Sequence, residues 1–199
     1  MPTRVVITGL GVVSPIGIGV PQFWKSAIEG RSGISAITSF DPFPLEGYRS
    51  RVAGRIPGFS ADQYLTPGQG DRVDRYAQFA LVAVKEALAD AEFRMEEEKP
   101  HRVGVIMGAG MGGMVMGERE ITQLYEQKRP HRVHPNFIPV ITLNSASGIV
   151  AMVYGAKGPN LTISTACSSS AHALGQAMHA IRAGTADAVI VVGADASIT

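Results

Sequence analysis

The chain has 199 residues, 45% apolar and 18% charged, with a net charge of +1. At about 100–200 residues per domain, that is one domain with a sizeable core. A near-neutral charge without a basic stripe excludes a nucleic-acid or membrane-surface role, and a single cysteine excludes an intrachain disulfide. The N-terminus has one positive charge and a short apolar run broken by glycines, unlike a signal peptide. No run approaches the roughly 18 apolar residues of a membrane span. A soluble, cytoplasmic protein is expected.

Residues 4–10, rich in Val and Ile, read as a first strand ended by Gly9 and Gly11. Pro21 opens a helix carrying Phe23, Trp24, Ala27 and Ile28, which Gly30 stops. Residues 31–70 hold many Gly, Pro and Ser, so irregular chain is expected, with at most a short strand at 50–54. From Asp71 the residues Tyr76, Ala77, Ala80, Leu81, Val84 and Leu88 trace a wide apolar helical stripe. Residues 102–107 form a second strand, followed by the turn GAGMGG at 108–113 and a helix to about Gln127. A polar loop with three prolines occupies 128–139, and a helix interrupted by Gly148 covers 140–154. Strand 160–165, a helix to about Ala183 and the apolar strand 187–192 complete the chain. This alternation is an α/β fold with a mixed, largely parallel sheet. The last strand is apolar throughout, as expected of one buried on both faces. The chain stops at Thr199, soon after that strand, so it is expected to be truncated or half of a larger unit.

Cys167 is the only cysteine, and it lies where the strand meets the next helix. Ala171, Leu174, Ala177, Met178 and Ile181 then recur at helical spacing. Unpaired N–H groups and the positive dipole end of a helix favour an anion, the setting in which proteins activate a sulfur nucleophile. A buried, inert cysteine is the alternative. His172, five residues on, is read as a helix-packing or dimer-surface residue. A base for such a nucleophile must approach from another segment.

Other motifs carry less. The turn at 108–113 matches the G-x-G-x-x-G dinucleotide fingerprint, which would make this an NAD-binding enzyme. That fingerprint also needs a second strand ending in an acid about 20 residues on. The basic, proline-containing stretch 128–135 is not one. The same glycines can let backbone approach another element closely. His131 and His134 lack Cys, Asp or Glu at ligand spacing, so no metal site is expected.

Seven ordered markers carry a family resemblance: VITGLGVVSPIG at 6–17, GRSGI at 30–34, DRYAQ at 74–78, GAGMGG at 108–113, YGAKGP at 154–159, TACSSS at 165–170, and GTADAV at 184–189 running on to Gly193 and Ala194. The chain resembles the N-terminal half of a β-ketoacyl-acyl-carrier-protein synthase of the elongating type II, a relative of polyketide ketosynthases. The resemblance implies a thiolase-like layered αβαβα fold, of which residues 1–199 supply the first half. It makes Cys167 the acyl-accepting nucleophile of a decarboxylative Claisen condensation with malonyl-carrier protein. Non-condensing relatives called chain-length factors lack this cysteine, which argues against a non-catalytic partner subunit. No cofactor is implied; the substrates ride on the phosphopantetheine of acyl carrier protein. A homodimer is expected. Met111 matches the residue that gates the acyl pocket, and Phe137 a position lent to the pocket across the dimer. The family's two catalytic histidines lie in the other half, and none of the five histidines here aligns with them. The basic cluster that attracts the carrier is reduced to Arg72, for which Arg75, Arg129 and Arg132 are candidate substitutes.

Overall fold

The computed structural model describes residues 3–37, 47–56, 58–70 and 73–198. Its centre is strand β5, Val103–Gly108, whose six residues are all buried. β-Branched and long apolar side chains suit a strand covered on both faces. Each large side chain buried there contributes about 1.5–3 kcal/mol. β5 pairs in parallel with β6 (Asn160–Ile163) on one side and β7 (Ala188–Gly193) on the other. The register sets Gly108 beside both Ile163 and Gly193. The sheet order is therefore β6-β5-β7.

Alternation along β5 feeds two cores. Val105 and Met107 meet Ile190 and Val192 of β7 under helices α2 (Arg75–Asp90) and α5 (Ser145–Tyr154). Ile106 faces the other way, onto Ala173, Ala177 and Ala180 of α6 (Ser169–Arg182). The result is a helix–sheet–helix sandwich, as the alternating pattern predicts. Three small alanines let α6 lie close over the sheet, and of the expected stripe only Ala177 is buried; Leu174 is 48% exposed.

Several other expectations change. Residues 4–10 form no strand. They lie beside α2, where the Leu10 N–H donates to Asp90 Oδ2 (2.9 Å) and the Val12 N–H to Glu86 Oε2 (2.9 Å). The Val and Ile pattern has β propensity, but no described strand lies alongside to complete a ladder, and Val6 and Ile7 stay exposed. The sheet of described residues is consequently wholly parallel rather than mixed. Antiparallel pairing is confined to two short ladders: β1 (Val13–Ser14) with β2 (Gly17–Ile18), and β3 (Ser35–Ala36) with β4 (Val52–Ala53). β4 falls inside the expected strand at 50–54. Helix α1, Val20–Ile28, forms where Pro21 predicts it, but it buries Ser26 and exposes Trp24 and Ile28. The strand buried on both faces is β5; β7 is covered only in part.

The helix expected over 140–154 is two helices, α4 (Phe137–Ile141) and α5. The break is at Thr142, not at Gly148. Tyr76 explains it. Its hydroxyl donates to the Thr142 carbonyl (2.8 Å) and accepts from the Ala146 N–H (3.3 Å), replacing bonds that a continuous helix would make within itself. Burial pushes the Tyr76 hydroxyl's pKa up, which keeps that donor proton in place.

Asp74 caps α2, accepting from the Tyr76 N–H with one oxygen and from the Met116 N–H (2.7 Å) with the other. It thereby joins α2 to the first turn of α3, Met114–Tyr125. The helix begins at Arg75 rather than at Asp71. Asp71 and Arg72 lie outside the described residues.

Candidate active site

The C-terminal ends of the three parallel strands lie side by side, and each carries a sequence feature. In open α/β sheets this edge is where ligands bind. Beyond β6 comes the Cys167 turn, beyond β5 the glycine turn with Met111, and beyond β7 Asp195.

The cysteine turn is short and held by serines. Ser168 is the N-cap residue of α6, so Cys167 stands just ahead of the helix, and it is exposed. The cysteine is exposed, not buried as the alternative expects. Ala166 takes a left-handed conformation, φ 54°, which costs a non-glycine residue about 1–2 kcal/mol. Buried Ser169 sustains it: its Oγ accepts from the Thr165 N–H (2.8 Å) and donates to the Ala166 carbonyl (2.6 Å). The Ser168 hydroxyl donates to the Thr165 carbonyl (2.8 Å). The strain turns the chain sharply at the thiol.

His172 does not pack under its helix. Its ring Nδ1 lies 2.6 Å from Thr165 Oγ1, and both residues are exposed. Its partner is the residue that opens the cysteine turn. Its imidazole braces the turn from the helix side.

Gly108 shows why the second turn is rich in glycine. A Cβ there would run into the backbone of Ser169 and Ser170, so the end of β5 butts directly against the start of α6. Gly112 has φ 71°, where side chains are strained. The glycines serve close approach between elements. The expected stretch of a dinucleotide fingerprint contains a 3₁₀ turn at Pro130–Arg132 and no strand. This geometry gives the NAD reading no support.

Met111, on this turn, is 52% exposed. The Gly113 N–H donates to the Ile141 carbonyl (3.2 Å), which ties the turn to α4, the helix that Phe137 begins. Phe137 is half-buried, and its link to the turn runs through Ile141. Cys167 and Met111 thus sit on neighbouring strand ends, with Phe137 one short helix away.

The approach to α4 is governed by Glu120, 3% exposed on α3. Its Oε2 accepts from the His134 N–H (2.7 Å), and its Oε1 pairs with the Arg119 guanidinium (2.9 Å). Burial by itself raises this carboxyl's pKa, but the His134 N–H and Arg119 outweigh it and hold the group below the usual glutamate range. A carboxylate depressed in the folded state contributes stability above its unfolded pKa and loses it as pH falls through the folded one. Urea unfolding of the native polypeptide and of its Glu120→Gln variant should therefore differ most near neutrality. The difference should begin to shrink as the pH falls past about 4.3 and close only below the depressed folded-state value; a gap that does not shrink in acid would exclude the carboxylate as its source.

Of the carrier-docking candidates, Arg75 is already engaged. It is half-buried, donates to the Ile56 carbonyl (3.2 Å) and lies over the rings of Phe59 (5.4 Å) and Phe79 (5.2 Å). Arg129 and Arg132 are exposed. Among the described residues, no group of three or more His, Cys, Asp and Glu side chains could hold a metal. Nor is any helix among them long and apolar enough to cross a membrane.

The model of the β-ketoacyl synthase N-terminal domain matches residues 2–199. The chain belongs to the β-ketoacyl synthase family. It is 40% identical over 196 residues to a 3-oxoacyl-[acyl-carrier-protein] synthase 2 of Staphylococcus aureus strain COL, covering 98% of this chain and 46% of that protein. A protein of the same name from Synechocystis is 39% identical with the same coverage. The chain thus spans about half the length of the curated relatives it matches. Solved ketosynthases share the fold. The ishigamide ketosynthase/chain length factor superposes with a TM-score of 0.79 at 31% identity, covering 96% of this chain and 52% of that one. A ketosynthase in complex with its type II polyketide acyl-carrier protein superposes with a TM-score of 0.81 at 23% identity, covering 98% and 52%. The thiolase-like fold expected from the ordered markers is therefore the fold observed.

Within this ketosynthase-type half, sequence reasoning missed Ser169, Glu120, Asp195 and the Thr165–His172 contact. Asp195 left one usable signal, an acid directly beyond a core strand whose neighbour ends in a glycine turn. The others depend on which loop folds back on which, and no local pattern reports that.

Proposed function

We propose that this chain is the acyl-accepting half of a condensing acyltransferase of fatty-acid or polyketide synthesis. The observation that carries the reading is the exposed Cys167, raised on a strained turn ahead of α6 at the C-terminal edge of a parallel sheet. The Cys167 sulfur attacks the carbonyl of an acyl thioester carried on phosphopantetheine. The acyl–sulfur bond to the carrier breaks, the carrier thiol leaves with a proton, and the chain becomes a thioester of Cys167. The Cys167 backbone N–H is the expected oxyanion donor. Malonyl-carrier protein then loses carbon dioxide, and its α-carbon attacks the Cys167 thioester. The sulfur is regenerated and a β-ketoacyl-carrier protein two carbons longer departs. Met111 and Phe137 line and gate the acyl pocket in this reading. Acyl carrier protein is the partner, a homodimer the assembly, and the cytoplasm the compartment. Residues 1–199 act as the N-terminal thiolase-like unit, and the histidines that promote decarboxylation come from outside it. The ketosynthase kinship of the relatives supports the reaction class.

The test is mass spectrometry of the native polypeptide after incubation with an acyl-pantetheine thioester. One acyl group on the peptide containing Cys167 is the expected result. A site that never acylates would favour the other reading, a non-catalytic subunit that shapes a partner's pocket.

A further inference from the structure

Asp195 stands two residues beyond β7 and reaches across to the neighbouring strand's turn. Its Oδ2 accepts from the Gly110 N–H (2.8 Å) and its Oδ1 from the Met111 N–H (2.8 Å). Two successive N–H groups of a turn aimed at the two oxygens of one carboxylate make a directed, charge-assisted grip. The base of the grip is fixed: the Ala194 N–H donates to the Gly108 carbonyl (3.3 Å), and Ala196 is buried. The gripped end bears an exposed Met111 side chain. The grip holds the backbone from which this side chain projects, and so limits how far it can move aside. A Cβ on Gly110 would come within 3.2 Å of Asp195 Oδ2, so a side chain there would press on the carboxylate.

We infer that Asp195 is a positioning residue, a latch that sets the resting place of the Met111 turn and thereby limits the acyl chain length that Cys167 accepts. The inference rests on the acyl-enzyme reading above. A long chain must displace Met111, and the latch opposes that displacement by fixing the backbone from which Met111 swings. Asp195 is exposed and touches no reacting atom in this role, so its effect is on selection between chains.

The experiment is a competition. The native polypeptide and its Asp195→Ala, Asp195→Asn and Asp195→Glu variants are given equimolar acetyl- and decanoyl-pantetheine. The two adducts on Cys167 are counted by mass, and circular dichroism checks folding. The decanoyl-to-acetyl ratio should rise about tenfold in Asp195→Ala, since losing even one charge-assisted hydrogen bond shifts a local equilibrium by that order. Asp195→Asn keeps the shape and one acceptor, and should fall between. It carries the test if the alanine variant does not fold. Asp195→Glu, which restores a carboxylate, should return toward the wild-type ratio. A folded variant lacking the carboxylate whose ratio is unchanged or lower overturns the latch alone. A wild-type protein that takes neither acyl group overturns the acyl-enzyme reading, and the latch falls with it.

Discussion

The native polypeptide carrying Cys167→Ala is expected to lose acyl loading entirely and condensation by at least about a thousandfold. These 199 residues hold no other thiol. The hydroxyls nearest the turn are committed: Ser168 to Thr165, and Ser169 to Thr165 and Ala166. Neither can replace the sulfur without dismantling the turn that presents it. The measurement is condensation with malonyl-carrier protein, followed through the β-ketoacyl product, with wild-type melting as the control for folding. Condensation retained within tenfold would end the claim that Cys167 is the nucleophile. Alanine removes only the sulfur from a residue that is already exposed, so stability should be close to unchanged.

Gly108→Ala should have the largest effect on stability. The added methyl meets backbone atoms of Ser169 and Ser170, which cannot rotate away. Either β5 retreats from its two partner strands or the first turn of α6 lifts from the sheet. Overpacking of this kind costs about 3 kcal/mol, near 10 °C in melting temperature for a chain of this size. Gly193→Ala is the natural comparison. Its methyl meets the Ser170 Oγ, which can turn aside, and the Ser170 Cβ at 2.7 Å, which cannot, so some shift of α6 is still needed but the loss should be smaller than where backbone atoms stand closer. Thermal melts of the two variants check this. A Gly108→Ala protein melting within 2 °C of wild type would show that the strand–helix contact yields freely. Because the displaced turn carries Cys167, acyl loading should fall together with the melting temperature.

The sequence made legible what local pattern controls. The 3.6-residue stripe from Tyr76 to Val84 is the buried face of α2, and the strand expected at 102–107 is β5, although double coverage was expected of the last strand instead. Cys167 was visible because a strand, a small-residue turn and a helix follow one another within a few positions. Where the reading departed from the structure, a distant group decided. Tyr76, on α2, breaks the expected long helix at Thr142. Phe59 and Phe79 claim Arg75, which charge alone would put on the surface. The alanine face of α6 is buried, and of the stripe through Leu174 only Ala177, because closeness to Ile106 matters more there than side-chain size. Residues 4–10 have strand composition, but a ladder needs a neighbour. The Asp195 grip joins residues more than 80 positions apart, and no window along the chain contains both.

At the opposite edge of the sheet, Arg102 grips Asp187 with two nitrogens, at 3.0 and 2.6 Å, and donates to the Gly184 carbonyl (2.7 Å). The Asp187 carboxyl is held below its usual pKa by that guanidinium. Exposed as it is, the pair adds little to stability, yet it works as a zero mark on a ruler. It fixes which residue of β7 stands opposite which residue of β5. A slip of one position would carry Asp195 about 3.3 Å along the strand, out of reach of the Met111 turn, and would point alternate side chains of β7 into the wrong core. Alignment at the distal edge is thus a condition for the Asp195 grip at the proximal edge.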